Sequence, residues 1–157
     1  MRVFAVYRIG FELRQHFGDD AGRKIKEVLT AIERSNDQSH LRQQLIEAHL
    51  DIGVWFSNPE GSYTWVNDTL AEMFGIDAER MKGNGWVDGL ESDRRVQIYD
   101  KWETCVKKGI PYEECFTVVN RRTHERIPIQ TKAYVVRNKN GEAECFVGYV
   151  YRLEAAD

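Results

Sequence analysis

The 157-residue chain is long enough for one ordinary domain with an extension. Its 42% apolar and 30% charged composition is that of a globular chain rather than a disordered one. A net charge of −3 leaves no electrostatic footprint for nucleic acid or an anionic membrane as the main partner.

The three cysteines, Cys105, Cys115 and Cys145, form no CxxC pair and have no histidine at ligand spacing, so they read as free thiols in a reducing compartment. The apolar run Val3 to Tyr7 ends at Arg8. A secretory segment needs about 7–15 apolar residues and a membrane helix about 20, so the chain reads as cytoplasmic.

Only helical periods occur before residue 46. Ile25, Val28, Leu29 and Ile32 fall at i, i+3, i+4 and i+7, the pattern of an amphipathic helix. A second stripe runs Leu41, Leu45, Ala48. At about 100° per residue Leu41 lies roughly 160° around the axis from Ile25, which favours a break in the polar stretch 35–39. The second stripe is expected to cover the outer face of the following domain, near Val54 and Phe56. The first then has no partner except its own copy, which points to a homodimer built on Ile25, Val28, Leu29 and Ile32. Residues 1–45 thus read as a helical N-terminal extension and possible dimerisation segment.

From residue 52 the pattern changes. Residues 52–57 and 62–66 are strand-like and enclose the turn Asn58-Pro59-Glu60-Gly61. Asn67 or Asp68 caps a short helix, Thr69 to Phe74, that Gly75 stops. A second short helix fits Ala78 to Lys82, and a longer one Glu91 to Lys108, with Val96, Tyr99, Trp102 and Val106 on one face. Strands follow at 112–120, 126–136 and 143–152. The first link between them, Asn120 to Glu125, lacks glycine, whereas Asn138-Lys139-Asn140-Gly141 is a strong hairpin turn.

Two antiparallel strands cannot make a stable sheet alone, so the last three are expected to join them. The predicted fold is α+β: one five-stranded antiparallel sheet with a helix block on one face, plus the N-terminal helical extension. In the first strand both alternating sets contain large apolar groups, so both faces of the sheet should be covered.

Over about residues 46–153 the chain resembles the PAS family. The matching pieces are Asn58-Pro59-Glu60-Gly61, Trp65-Val66-Asn67, Phe74-Gly75-Ile76 with Lys82-Gly83 and Trp86, Ser92-Asp93-Arg94, and Asn140-Gly141-Glu142 with Val147-Gly148. Two places depart from the family's pattern. The turn 121–125 lacks the usual Asp-Gly, and Tyr151-Arg152-Leu153-Glu154 replaces the triplet that commonly hands a signal onward.

The resemblance implies the PAS fold and a sensory role, with a cavity between sheet and helices. Its lining would be Trp55, Thr131, Ala133, Phe146, Gly148 and Val150 from the sheet, and Phe74, Met81, Trp86, Tyr99 and Trp102 from the helices. Large apolar side chains with few polar ones suit an uncharged or aromatic small molecule. The alternative is that these aromatics simply fill the core.

No cofactor is identified. The stretch Gly83-Asn84-Gly85-Trp86 stands where flavin photoreceptors of the family carry a reactive cysteine, and it has no thiol. The helix 91–108 has no histidine to serve as a haem ligand, and His124 falls in a turn. No metal site is expected. His16, His40, His49 and His124 are scattered, with no serine or cysteine at nucleophile spacing. An enzyme on a cone-shaped α+β fold would need a buried acid such as Asp51 or Asp88, both at element ends.

The chain therefore reads as a non-enzymatic signalling module. It would bind a small ligand or a partner protein and act on an effector in trans, since no kinase, cyclase or DNA-binding region occurs in these residues. The competing reading is a structural homodimerisation module with a filled core.

Overall fold

The computed structural model describes residues 52–153. The N-terminal stripes, the dimer residues Ile25, Val28, Leu29 and Ile32, Asp51 and the domain boundary near residue 46 all lie outside the described residues.

The elements run β1 (Gly53–Ser57), β2 (Tyr63–Val66), α1 (Asp68–Phe74), α2 (Ala78–Met81), a 3₁₀ turn (Gly85–Gly89), α3 (Arg95–Lys108), β3 (Tyr112–Val119), β4 (Arg126–Arg137) and β5 (Ala143–Arg152). The five strands form one sheet in the order β2-β1-β5-β4-β3. The pairings β1–β2, β1–β5 and β3–β4 are antiparallel. This is the expected α+β sheet, with β1 and β5 as the bridge between the N-terminal and C-terminal hairpins.

Strand alternation decides what faces the helices. Trp55 pairs with Gly148, Ser57 with Phe146 and Gly53 with Val150. On the other half, Tyr112 pairs with Ala133, Phe116 with Ile129 and Val118 with Ile127. These inward residues join Leu70, Met73, Phe74, Met81, Trp86, Ile98 and Trp102 of the helix block in one core. The opposite set, including Val54, Val147 and Tyr149, is also buried. All five residues of β1 are buried, so both faces of its strand are covered, as its composition requires.

Helix α1 has only seven residues and would not form alone. Asn67 pins its start. The Asn67 Oδ1 accepts from the amides of Leu70 and Val54, both at 3.0 Å, while its Nδ2 donates to the Ile52 carbonyl at 3.0 Å. One buried side chain thereby caps the helix and ties it to β1. Gly75 ends the helix with a left-handed φ of 65°. A Cβ there would meet Asn120 Oδ1 at 2.2 Å, so both conformation and space call for glycine.

The structure corrects the long helix. It begins at Arg95 rather than Glu91, because Leu90 is held in a β-bridge to Val118 and the Arg94 amide closes a turn onto Glu91. Its buried face is Ile98, Trp102 and Cys105, and Val96 is 73% exposed rather than inward. Tyr99 and Val106 are half-buried against the core.

The glycine-free β3–β4 link closes by another route. His124 adopts a left-handed φ of 63° in place of a glycine. Asn120 gathers the turn, accepting from the amides of Arg122 and Thr123 on Oδ1 and donating to the carbonyls of Glu72 and Met73. The β4–β5 turn is centred on Asn138, whose Oδ1 accepts from the amides of Asn140 and Glu142.

Replacing Asn67 by Ala removes three buried hydrogen bonds at once and leaves the amide of Val54 and the carbonyl of Ile52 short of a partner. Urea unfolding of Asn67→Ala is expected to show a loss of about 2–4 kcal/mol. A loss below about 1 kcal/mol would mean that water replaces the side chain, and the clasp is not structural.

Candidate functional site

The inner face of the sheet carries small residues at its centre, namely Gly148, Thr131 and Ala133, and receives large rings from the elements around it. Trp55 lies flat on the strand. A Cβ at Gly148 would come within 2.3 Å of its Cε2 and Cζ2. Above it the Tyr63 ring stacks at 4.5 Å between centroids and 12° between planes. Tyr63 in turn stacks with Trp86 at 5.2 Å and 14°. Two indoles at these distances overlap if they share one face of a phenol ring, so they flank it. The result is a three-layer stack, Trp55–Tyr63–Trp86, continued at 6.5 Å by Tyr99.

Trp102 on α3 is the second hub. It meets Trp55, Tyr112 and Phe146 edge-on at 5.2, 5.3 and 5.2 Å, the T-shaped arrangement that ring quadrupoles favour. Its indole N–H donates to the Gly61 carbonyl at 3.1 Å, which anchors α3 to the β1–β2 turn.

Polar satisfaction in this cluster is uneven. Trp55 Nε1, Trp86 Nε1 and the Tyr112 hydroxyl are buried and have no hydrogen-bond partner. All three residues are at most 4% exposed. Burial, with Glu114 next, pushes the Tyr112 phenol up from its ordinary value. Burial, reinforced by Tyr112, pushes the Tyr63 phenol well up. Both phenols are therefore neutral hydrogen-bonding groups across the physiological range. Burial also raises the Cys105 thiol, against the pull of Lys101 and Lys108, which leaves it a packing group rather than a thiolate.

The expected lining residues come together. Trp55, Phe74, Met81, Trp86, Trp102, Ala133, Phe146 and Val150 are buried in one cluster, with Tyr99 half-buried against it and Thr131 buried on β4. Of the rings in contact with Trp55, Trp86 and Trp102, Tyr63 and Tyr112 are not among those expected. Tyr112 begins β3 in period two with Phe116 and Val118, and that alternation was the signal that could have placed it inward. Tyr63 turns inward because of a bulge. Phe56 pairs with Trp65 but Ser57 pairs with Tyr63, so Thr64 is an extra residue in the ladder. Strict alternation puts Tyr63 and Trp65 on the same face; the bulge sends Tyr63 to the core and leaves Trp65 beside Phe56.

The remaining chemistry-bearing residues are dispersed. His124 is exposed in its turn, Cys115 is exposed and Cys145 half-buried on their strands, and none lies in the stretch 83–86. Among the described residues no three His, Cys, Asp or Glu side chains converge as a metal group would require, and no helix is long and apolar enough to cross a membrane.

Removing the Trp55 ring takes away the floor of the stack and the partner of Trp102. Trp55→Ala is expected to lose about 3–5 kcal/mol in chemical denaturation. Stability equal to the parent would place the ring outside the packed core.

The comparisons with known proteins agree with this architecture. Among solved structures, the N-terminal domain of a diguanylate cyclase with PAS/PAC sensor from Marinobacter aquaeolei aligns with a TM-score of 0.54 at 18% identity, covering 64% of this chain and 94% of that one. The PAS domain of a Colwellia psychrerythraea protein gives 0.57 at 11% identity over 74% and 98%. The Rhodobacter sphaeroides LOV protein gives 0.59 at 12% over 75% and 69%. Identities this low speak for the fold alone. No curated protein matches the sequence. The family model described as PAS fold matches residues 63–150, more than half of the chain, and with the sheet order and helix block above it establishes that the chain belongs to the PAS fold family.

Proposed function

We propose that the chain is a signal-input module that holds a small, uncharged ligand in its aromatic core and relays occupancy to an effector protein, with no catalytic step of its own. The observation that carries this reading is the group of three unpaired polar atoms, Trp55 Nε1, Trp86 Nε1 and Tyr112 Oη, in one aromatic cluster. An unpaired buried donor costs about 1–3 kcal/mol, a cost that a ligand of complementary chemistry would remove. Among the described residues, the dispersal of His, Cys and acidic side chains supports a binding role over a catalytic one. We place the module in the cytoplasm because Cys105, Cys115 and Cys145 form no disulfide.

The experiment is native mass spectrometry of gently purified protein, followed by extraction under denaturing conditions. A bound small molecule, released on unfolding, is the expected result. Protein that is uniformly free of ligand, and whose unfolding temperature responds to no small molecule in a chemically diverse library, would sink the proposal. That outcome would favour the second reading, a structural module with a filled core, for which the continuous Trp55–Tyr63–Trp86 stack is the supporting observation.

The same proposal includes a homodimer through the stripe Ile25, Val28, Leu29 and Ile32, carried by the sequence pattern. The full chain is expected to scatter light as a dimer at micromolar concentration, and a chain lacking residues 1–39 as a folded monomer. A monomeric full chain, or a dimeric truncated one, would remove this stripe from the interface.

A further inference from the structure

We propose that the ring stack is an electron relay. An electron lost from Trp55 or Trp86 to a one-electron oxidant is replaced from Tyr99, which becomes a tyrosyl radical at the surface. A soluble reductant such as ascorbate then restores Tyr99. The relay needs no bound ligand and stands apart from the reading above.

Ring contact makes the path continuous. Trp55 stacks on Tyr63 at 4.5 Å between centroids and Tyr63 on Trp86 at 5.2 Å, with planes tilted only 12° and 14°. Tyr99 follows 6.5 Å beyond Trp86. Electrons tunnel readily between neighbouring π systems, and each of these four rings has the next as its neighbour. The path runs from Trp55, 1% exposed on β1, to the half-buried Tyr99 on α3.

Protons decide where the radical stops. An oxidised indole or phenol is a strong acid, and loss of its proton pins the radical where it stands. The Nε1–H groups of Trp55 and Trp86 are buried with no acceptor, so neither indole can pass its proton on and the charge stays mobile. Burial holds the Tyr63 and Tyr112 phenols above their ordinary values, so both keep their protons. The Tyr112 hydroxyl also lacks a partner, which makes the branch Trp55–Trp102–Tyr112 a dead end. Tyr99 differs. Its oxygen accepts from Asn84 Nδ2 at 3.3 Å in an exposed bond, which leaves its own O–H for water.

The oxidant takes one electron from an indole and leaves its radical cation. Tyr99 supplies an electron to that indole and releases its hydroxyl proton to water, so the indole is whole again. Ascorbate returns one electron and one proton to the tyrosyl oxygen and becomes the ascorbyl radical. The net reaction is oxidation of ascorbate by the oxidant, one electron each, with every core ring unchanged. Oxidative damage is thereby moved from the packed interior to a position that soluble reductants reach.

The test is laser flash photolysis of the full chain. An ultraviolet pulse ejects electrons from the indoles, and hexaamminecobalt(III) in the buffer scavenges them. Transient absorption then follows the indole and tyrosyl radicals. In the parent the indole radical is expected to decay as the tyrosyl radical grows. Tyr99→Phe is expected to lose most of that growth and to keep its indole radical longer. Trp86→Phe, which removes the link to Tyr99, is expected to lose most of the growth as well. Tyr63→Phe keeps the stack without the phenol and is expected to match the parent. Undiminished tyrosyl growth in Tyr99→Phe overturns the relay, and so does growth at the parent's rate in Trp86→Phe. Loss of the growth in Tyr63→Phe moves the terminus to Tyr63 and overturns the proposal too. Circular dichroism checks each variant's fold. Should Trp86→Phe not fold, ascorbate decides: it is expected to quench the tyrosyl radical of the parent but not the indole radical of Tyr99→Phe. Equal quenching of both would overturn Tyr99 as the point of discharge.

Discussion

The indole of Trp55 lies on β5 at Gly148, and the two positions are Cα partners across the β1–β5 ladder. A side chain at 148 of any size would strike Cε2 and Cζ2, so the ring must lie down only because that partner is missing. Much of the core depends on this one contact. A flat Trp55 offers its upper face to Tyr63 and its edge to Trp102, and those two rings bring in β2 and α3. The small residues Thr131 and Ala133 extend the same low floor across β4. Large rings from the periphery fill the volume that small residues at the sheet centre leave, which is how interdigitation reaches native packing density.

Ring contacts alone do not fix where a seven-residue helix starts and stops. Two buried asparagines do that, one from each half of the sheet. Asn67 holds the first turn of α1 to β1, and Asn120, at the end of β3, holds the last carbonyls of the same helix. The Arg121 amide adds a third bond, to the Phe74 carbonyl. Helix α1 is thus clamped at both ends by residues outside it. Its inner face, Leu70, Met73 and Phe74, is presented to the core at one angle only. Desolvation makes such bonds decisive: each buried terminus would be left unsatisfied if its asparagine were replaced.

What the sequence made legible follows the same division. Alternation and turn chemistry are local, and they placed all five strands and the turns at Gly61, Gly75 and Gly141 within a residue or so. The inward set on β5, Phe146, Gly148 and Val150, came instead from the family resemblance, because both alternating sets of that strand are apolar and buried. Features that depend on a partner elsewhere were not readable. The start of α3 depends on Leu90 bridging to Val118; apolar Val96, next to that start, lies in solvent because it sits about 120° around the axis from Trp102. The inward turn of Tyr63 depends on a bulge opposite Ser57, for which Ser62 to Val66 carries no proline or extra glycine as a signal. His124 shows the converse, since a residue other than glycine takes the left-handed position once Asn120 supplies the turn's hydrogen bonds. Side-chain bonds to the turn's own amides there outweigh the preference for glycine.

The polar accounting of the core separates its two kinds of group. Asn67, Asn120 and the indole of Trp102 are all buried, and each has its partners. A loosely fitted interior would scatter unpaired atoms among them. Instead the three unpaired ones, on Trp55, Trp86 and Tyr112, all belong to rings within one contact of Tyr63 or Trp102. Buried groups without a partner are rare in native structures and each has a cause. Here the imbalance has a sign as well as a place: two of the three groups can only donate. A water molecule would supply an acceptor but also bring two donors of its own into surroundings poor in acceptors. The complement this cluster lacks is therefore an acceptor carried on an apolar body.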